Sequence, residues 1–204
     1  MRNYILFFSL AFLFSCGKKS VDPLTQLGQP SKPTMIETSK FPCKVIQDGL
    51  DQQTGYYKKD IAYDKLFEFT PEKLVGYYKE RDFLTCYSSV GILDDTQYLY
   101  LKLIFDSKDA PKAYGSIQKE QEIRITLIDG SQTRLKTAIN VNAKPDPKTK
   151  RVIYDGIFEM NGSNKKKLKD TELDQIEIIW SSGFEAYEIF NVDLLMNQLK
   201  CLER

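Results

Sequence analysis

Tyr98-Leu99-Tyr100-Leu101-Lys102-Leu103-Ile104-Phe105 decides the fold class of this chain. Leu99, Leu101, Leu103 and Phe105 alternate with Tyr98, Tyr100 and Lys102, so one side of an extended segment is apolar and the other is not. Successive side chains of a strand point to opposite faces, and period two therefore reads as a strand with one buried face. The same period continues outward. Ile123, Ile125 and Leu127 alternate with Glu122, Arg124 and Thr126; Val152, Tyr154, Phe158 and Met160 form a further set, and Ile176, Ile178 and Trp180 another. Asp129-Gly130 separates the strand ending at Leu127 from a segment holding Leu135, Ile139 and Val141, and Asp-Gly supplies the positive φ angles of a tight hairpin turn. Ser181-Ser182-Gly183 leads from Trp180 into residues 184–190 and predicts a second hairpin. With residues 61–69 and 83–92 also extended, seven or eight strands follow one another. The pattern predicts a mainly β, antiparallel β-sandwich, immunoglobulin-like or related, rather than a parallel α/β sheet.

Helical signals interrupt the strands twice. Thr70-Pro71-Glu72 offers a capping hydroxyl, proline at the first helical position and an acid in the first turn, which predicts one short internal helix to about residue 79, weakened by Gly76. At the far end Val192, Leu195, Leu199 and Leu202 recur at helical spacing after Asn191, with Asp193 placed for the helix dipole. That stripe predicts a C-terminal helix packed on the sandwich. Asn161-Gly162-Ser163-Asn164 reads as a loop by composition. Lys165, Lys166, Lys167 and Lys169 extend it as a solvated basic run, screened by Asp170, Glu172 and Asp174.

The chain has 204 residues, 42% hydrophobic, 12% aromatic and 28% charged, as in ordinary globular proteins. It contains no histidine. That removes Ser-His-Asp and Cys-His nucleophile systems and His-containing zinc sites. Of the Lys, Arg, Asp and Glu residues only Arg2 lies in residues 1–15, so the rest carries 28 basic and 28 acidic residues. A balanced chain without a basic stripe does not fit a nucleic-acid partner, because phosphates demand clustered Lys and Arg.

Arg2 precedes an apolar stretch over residues 4–14 that meets Ser15, Cys16 and Gly17. The stretch is too short to span a bilayer, and a charged start, apolar centre and small residues at the cut describe an export signal. Leu13-Phe14-Ser15-Cys16 resembles the lipobox of bacterial lipoprotein signals, although Phe14 is bulkier than that family places there. The resemblance implies cleavage after residue 15, a lipidated Cys16 as mature N-terminus, and a lipid-anchored location in the cell envelope, at the outer membrane of a Gram-negative bacterium. Residues 17–40 carry Pro23, Pro30 and Pro33 among polar residues without periodicity and read as a flexible tether. As a coil it would hold the folded part, residues 41–204, roughly 25–30 Å from the lipid.

With Cys16 lipidated, Cys43, Cys86 and Cys201 remain, so at most one intramolecular disulfide forms. Cys86 shares a strand face with Leu84, Val90 and Ile92 and reads as a small buried apolar residue. Cys43 and Cys201 flank the folded region, and the favoured pair joins them. It closes a loop of about 158 residues and contributes on the order of 4–5 kcal/mol in the chain-entropy model.

Other motifs carry little chemistry. Ser116 with Lys119 and Ser163 with Lys166 match the SxxK pattern at the frequency chance provides, without the helix or the companion motifs that such enzymes need. Asp94-Asp95, Asp106 with Asp109, and Asp146 between two prolines are turn acids without the spacing of a calcium loop. Glu185 and Glu188 lie on opposite faces if they share a strand. Trp180 shares its face with Ile176 and Ile178 and reads as core, whereas Tyr98 and Tyr100 are either covered by a second layer or exposed. The stretch 180–188, together with Lys200-Cys201-Leu202, resembles a recurring pattern in uncharacterised secreted or lipid-anchored proteins of the Bacteroidetes group. That likeness spans residues 60–202 and implies no activity.

The expectation is a non-catalytic envelope module that binds a protein partner, because the chain offers a rigid sandwich on a tether and no reactive constellation. A carbohydrate or cell-wall binding module comes second, to be recognised by tyrosines grouped outside the core. A carboxylate-dependent hydrolase comes third and needs two acids about 5–9.5 Å apart across a cleft. The implied partners are the membrane, through the anchor, and an envelope protein or glycan; no catalytic residue, cofactor or metal is implied. Growth with labelled palmitate is expected to mark the wild-type protein and not Cys16→Ala, and equal membrane retention of the variant would sink the anchor.

Overall fold

A computed structural model describes residues 42–204, so Cys16 and the segments assigned to the signal and tether lie outside the described residues. The alternating segment forms strand β5 (Thr96–Phe105), with Leu99, Leu101, Leu103 and Phe105 buried and Tyr98, Tyr100 and Lys102 half-buried on the other side. It pairs antiparallel along its length with β4 (Leu84–Leu93) and β9 (Val152–Met160). The remaining strands are β1 (Val45–Leu50), β2 (Tyr57–Ile61), β3 (Asp64–Phe69), β6 (Glu122–Leu127), β7 (Gln132–Thr137), the short β8 (Lys144–Pro145), β10 (Leu173–Trp180) and β11 (Gly183–Glu188). All eleven belong to one open antiparallel sheet in the order β1-β2-β4-β5-β9-β7-β6-β10-β11, with β3 on β4 and β8 on β9.

This mainly β, sandwich-like architecture matches the expected fold class, with its two layers formed by one continuous sheet. Trp180 at the end of β10 meets Phe105 of β5 and Tyr154 of β9 edge-on, at centroid distances of 5.9 and 5.2 Å. Phe67 of β3 stacks on Tyr187 of β11 at 4.9 Å. The β10–β11 arm therefore lies over the β3-β4-β5-β9 layer. No ladder joins β3 to β11; Asn191 bridges them, its amide nitrogens donating to the carbonyls of Leu66 and Lys65.

Both expected hairpins form. Gly130 takes φ +79°, and Asp129 accepts from the Ser131 N–H at 2.8 Å, closing the β6–β7 turn. Trp180 pairs with Gly183 across Ser181-Ser182. The strand β7 stops at Thr137, so Ile139 is exposed and Val141 makes only an isolated bridge to Ile117. Residues 61–69 do not form one strand. The chain bends at Ala62-Tyr63, so that β2 pairs with residues 91–93 of β4 and β3 with residues 84–88.

The internal helix is displaced from its expected position. Only a single 3-10 turn, Glu72–Leu74, forms after Pro71, because the Thr70 hydroxyl accepts from the Phe83 N–H at 3.0 Å and closes the β3–β4 connection instead of capping. Short helix α1 (Ala110–Tyr114) lies after β5, and α2 (Gly162–Asp170) occupies the segment read as a loop and basic run. Composition hid the cap there: the Asn161 side chain accepts from the Asn164 N–H at 2.9 Å, and Leu168 gives the helix its buried contact. Lys165 pairs with Glu203 at 3.0 Å and Lys169 meets the same carboxylate, so Glu203 joins Asp170 in offsetting the charge of this run.

The C-terminal helix, α3 (Leu194–Leu202), buries Leu194, Leu195, Leu199 and Leu202 as its stripe requires. Gln198 is also fully buried. Its Nε2 donates to the Ser88 carbonyl at 2.8 Å and, more weakly, to that of Ala62, while the Ser88 hydroxyl donates to its Oε1. A disulfide joins Cys43 to Cys201, with Cα atoms 5.4 Å apart, and Cys86 is free and buried. Burial pushes the Cys86 thiol well up from its ordinary range, which leaves it un-ionised and inert. Because Trp180 is 3% exposed in the contact between layers, Trp180→Ala is expected to cost about 3–5 kcal/mol, read as a lowered urea midpoint.

Candidate functional site

Beyond the sandwich, β1 and the outer half of β2 form a wing at one end of the sheet. Val45 lies opposite Ile61, Asp48 opposite Lys59 and Leu50 opposite Tyr57, while Lys59 in turn faces Ile92 of β4. Directly opposed residues share a face. Val45, Asp48, Leu50, Tyr57, Lys59 and Ile92 therefore continue the face that begins, at Ile61, as core. Ile61 is fully buried, but cover runs out along the wing: Val45 is 40% exposed, Tyr57 41% and Leu50 73%. Helix α3, held at Ser88 and Ala62 by Gln198, covers the Ile61 end. Asp48 binds Lys59 at 3.6 Å and accepts from the Tyr57 hydroxyl at 2.7 Å, placing one charged pair inside the apolar patch. Exposed Ile46 and Tyr56 flank it. Strand β1 ends the sheet without the lysine or proline that commonly protects an edge; an irregularity between Val45 and Gln47 and the charge of Asp48 are its protection.

The tyrosines left open by the pattern lie on the outer face of β5. Tyr98 and Tyr100 are half-buried with ring centroids 6.2 Å apart, and Tyr63, at the bend between β2 and β3, joins them. Beneath them Gly91 lets Asp60 and the Tyr100 ring approach the backbone closely, in space that a Cβ would occupy. Asp60 binds Lys58 at 3.1 Å through Oδ2, whereas its buried Oδ1 has no partner among the described residues. Lys102 lies over the Tyr63 ring at 5.0 Å. Burial, then the charges of Asp155 and Asp60, pushes the Tyr63 phenol up to about 12. Burial and Asp60 likewise raise that of Tyr100. This face is an aromatic and carboxylate cluster in which the Tyr98 and Tyr100 rings tilt at 32° to each other and Lys102 covers one face of Tyr63.

The carboxylates considered for hydrolysis fall apart. Glu185 turns toward the core side of β11, where the Tyr187 hydroxyl donates to it at 2.7 Å; Glu188 is on the exposed side. Burial first, and Glu185 second, raises the phenols of Tyr187 and Tyr114. Glu68 pairs with Lys65, and its charge helps raise the nearby Asp82 carboxyl. Asp106 sits between Arg81 and Arg151, and Asp146 closes its own turn by accepting from the Lys148 N–H and the Thr149 hydroxyl. Ser116 accepts from Gln118, and Ser163 lies in the first turn of α2, where neither faces a base. Among the described residues no group of three or more His, Cys, Asp and Glu is disposed to hold a metal ion.

No protein-family model, curated protein or solved structure matches the chain.

Asp82 gives a pH signature. Partial burial, then the charge of Glu68, raises its carboxyl above the ordinary 3.8, so the fold favours the protonated form. That contribution is fully present below 3.8 and is lost as pH rises through the raised value. Asp82→Asn is therefore expected to be more stable than wild type at neutral pH, by less than about 1 kcal/mol given solvent screening. The difference should vanish in acid, read as paired urea midpoints across pH.

Proposed function

We propose that this is a lipid-anchored cell-envelope protein, attached through Cys16 at the outer membrane of a Gram-negative bacterium, whose folded part is a non-catalytic module for binding an envelope protein partner. The observation that carries the reading is the uncovered apolar face of the wing. Residues patterned like core but left without an opposite layer mark an interaction surface, and an aromatic and aliphatic centre with a polar pair is the composition of a protein interface. Among the described residues no helix is long and apolar enough to cross a membrane, and attachment in this reading runs through the lipid. Strand β1 begins at Val45, so the tether of residues 17–40 delivers the wing first.

A second reading, carbohydrate or cell-wall binding, draws support from the Tyr63, Tyr98 and Tyr100 group with Asp60 and Asp155. Tyrosine faces serve sugars, and carboxylates accept from their hydroxyls. Lys102 already occupies a face of Tyr63, so this cluster supports the glycan reading less than the wing supports the protein reading.

A photo-crosslinking residue at position 46, in living cells, is expected to yield one discrete envelope adduct. Leu50→Asp should abolish it while changing the unfolding free energy by less than about 0.5 kcal/mol, as for an exposed site. An adduct indifferent to Leu50→Asp, together with cosedimentation on purified cell-wall polymer that is lost in Tyr63→Ala, would replace the protein reading with the glycan reading.

A further inference from the structure

We propose that the Cys43–Cys201 disulfide is a mechanical clamp that carries pull from the N-terminal tether into helix α3 and so keeps β1 from being peeled off the sheet. The pull through the tether rests on the anchor proposed above; the geometry of the clamp does not.

Tension arriving at residue 42 would act first on the end of β1 where Val45 faces Ile61. Pull at the end of an antiparallel hairpin opens it one pair at a time, from Val45–Ile61 towards Leu50–Tyr57, and this sequential opening is the weakest way to load a ladder. The edge has little else to hold it. Strand β1 is bonded only to β2, most of its residues are exposed, and before the ladder begins one bond, from the Ala62 N–H to the Lys44 carbonyl at 2.8 Å, secures it. The wing carrying the proposed docking face would be the first part lost.

The disulfide intercepts that pull two residues ahead of β1. Cys43 is exposed, whereas Cys201 is 2% exposed in the last turn of α3. The helix that receives the load is held along its length: Leu194, Leu195, Leu199 and Leu202 are buried, Gln198 is bonded to both Ser88 and Ala62, and Lys165 and Lys169 of α2 grip Glu203 just beyond Cys201. To yield, α3 would have to break these contacts together rather than in turn. The bridge thus replaces an unzipping load on an edge strand with a load shared by a packed helix.

The test pulls the chain from residue 16 onward in magnetic tweezers. One handle is coupled to the Cys16 thiol, since Cys86 is buried and unreactive, and the other to a peptide tag inserted at the Asp129-Gly130 turn. With the disulfide intact, extension is expected to show no step before the main unfolding event. After reduction by a phosphine, or in Cys43→Ser/Cys201→Ser, an additional step should appear at lower force. Its length should correspond to release of residues 43–56, since β2 stays paired to β4, at most about 3.3–3.6 Å each. In parallel, the amides of β1 should exchange at least tenfold faster on reduction while Trp180 fluorescence stays that of a buried side chain. An unchanged force record, unchanged exchange in β1, or exposure of Trp180 together with β1 would each overturn the clamp; the last would make the bridge a global staple instead. Palmitate labelling at Cys16 reads the anchor separately, so either idea can fail without the other.

Discussion

The edge-on seating of Trp180 against Phe105 and Tyr154 is the contact on which the two-layered shape depends. The hydrogen-bond ladder alone does not require it, because strands joined in one unbroken path would be equally satisfied in an open twisted sheet. Folding over is selected by side chains. Leu99, Leu101 and Leu103 on one arm and Ile123, Ile125, Ile176 and Ile178 on the other are almost fully buried, and each contributes about 1.5–3 kcal/mol when removed from water. Trp180 stands at the end of its strand, where the chain turns into β11, so its burial also fixes where that hairpin lies. Phe67 on Tyr187 performs the same closure at the opposite edge, and Asn191 supplies the polar contacts that a missing ladder would have made.

Apolar packing sets the layers but does not set the register of α3, since a leucine stripe slides over a leucine face at small cost. Gln198 does. A buried amide left without partners costs about 1–3 kcal/mol, and at one helix position only are the Ser88 and Ala62 carbonyls and the Ser88 hydroxyl all in reach. The same register brings Cys201 to Cys43. The polar contact and the covalent one therefore specify a single docking of the helix, and through it the position of the wing.

Much of this was legible in the sequence, wherever one physical signal acted alone. The period-two segments of β5, β6, β9 and β10, the Asp129-Gly130 turn, the burial of Trp180 and the pairing of Cys43 with Cys201 follow from alternation, turn chemistry and the placement of cysteines. Reading failed where a residue had two uses. Thr70 is as good a helix cap as it is a loop tie, and its distance to Phe83 decides between them. Asn161 and Ser163 belong to loops by composition and to α2 by capping, and Leu168 shows why the helix forms. Strand β1 was missed because Val45, Ile46 and Leu50 do not alternate cleanly around the irregularity at Ile46. Gln198 was passed over because a stripe of leucines gives no hint that a polar residue within it will find three partners.

The wing is the place where local pattern and global packing disagree, and that disagreement is informative. Leu50 and Tyr57 obey the inward periodicity of the sandwich, yet the layer that should lie opposite ends at Ile61. Nothing in the fold itself requires an apolar side chain at Leu50: a polar residue would keep the ladder to Tyr57 and remove exposed apolar surface from an edge strand. Exposed apolar edges are a hazard that proteins ordinarily blunt. The proposed partner supplies the surface that would cover an apolar side chain at such a position. The proposed partner therefore sits at the wing, beside the N-terminal end of the described residues.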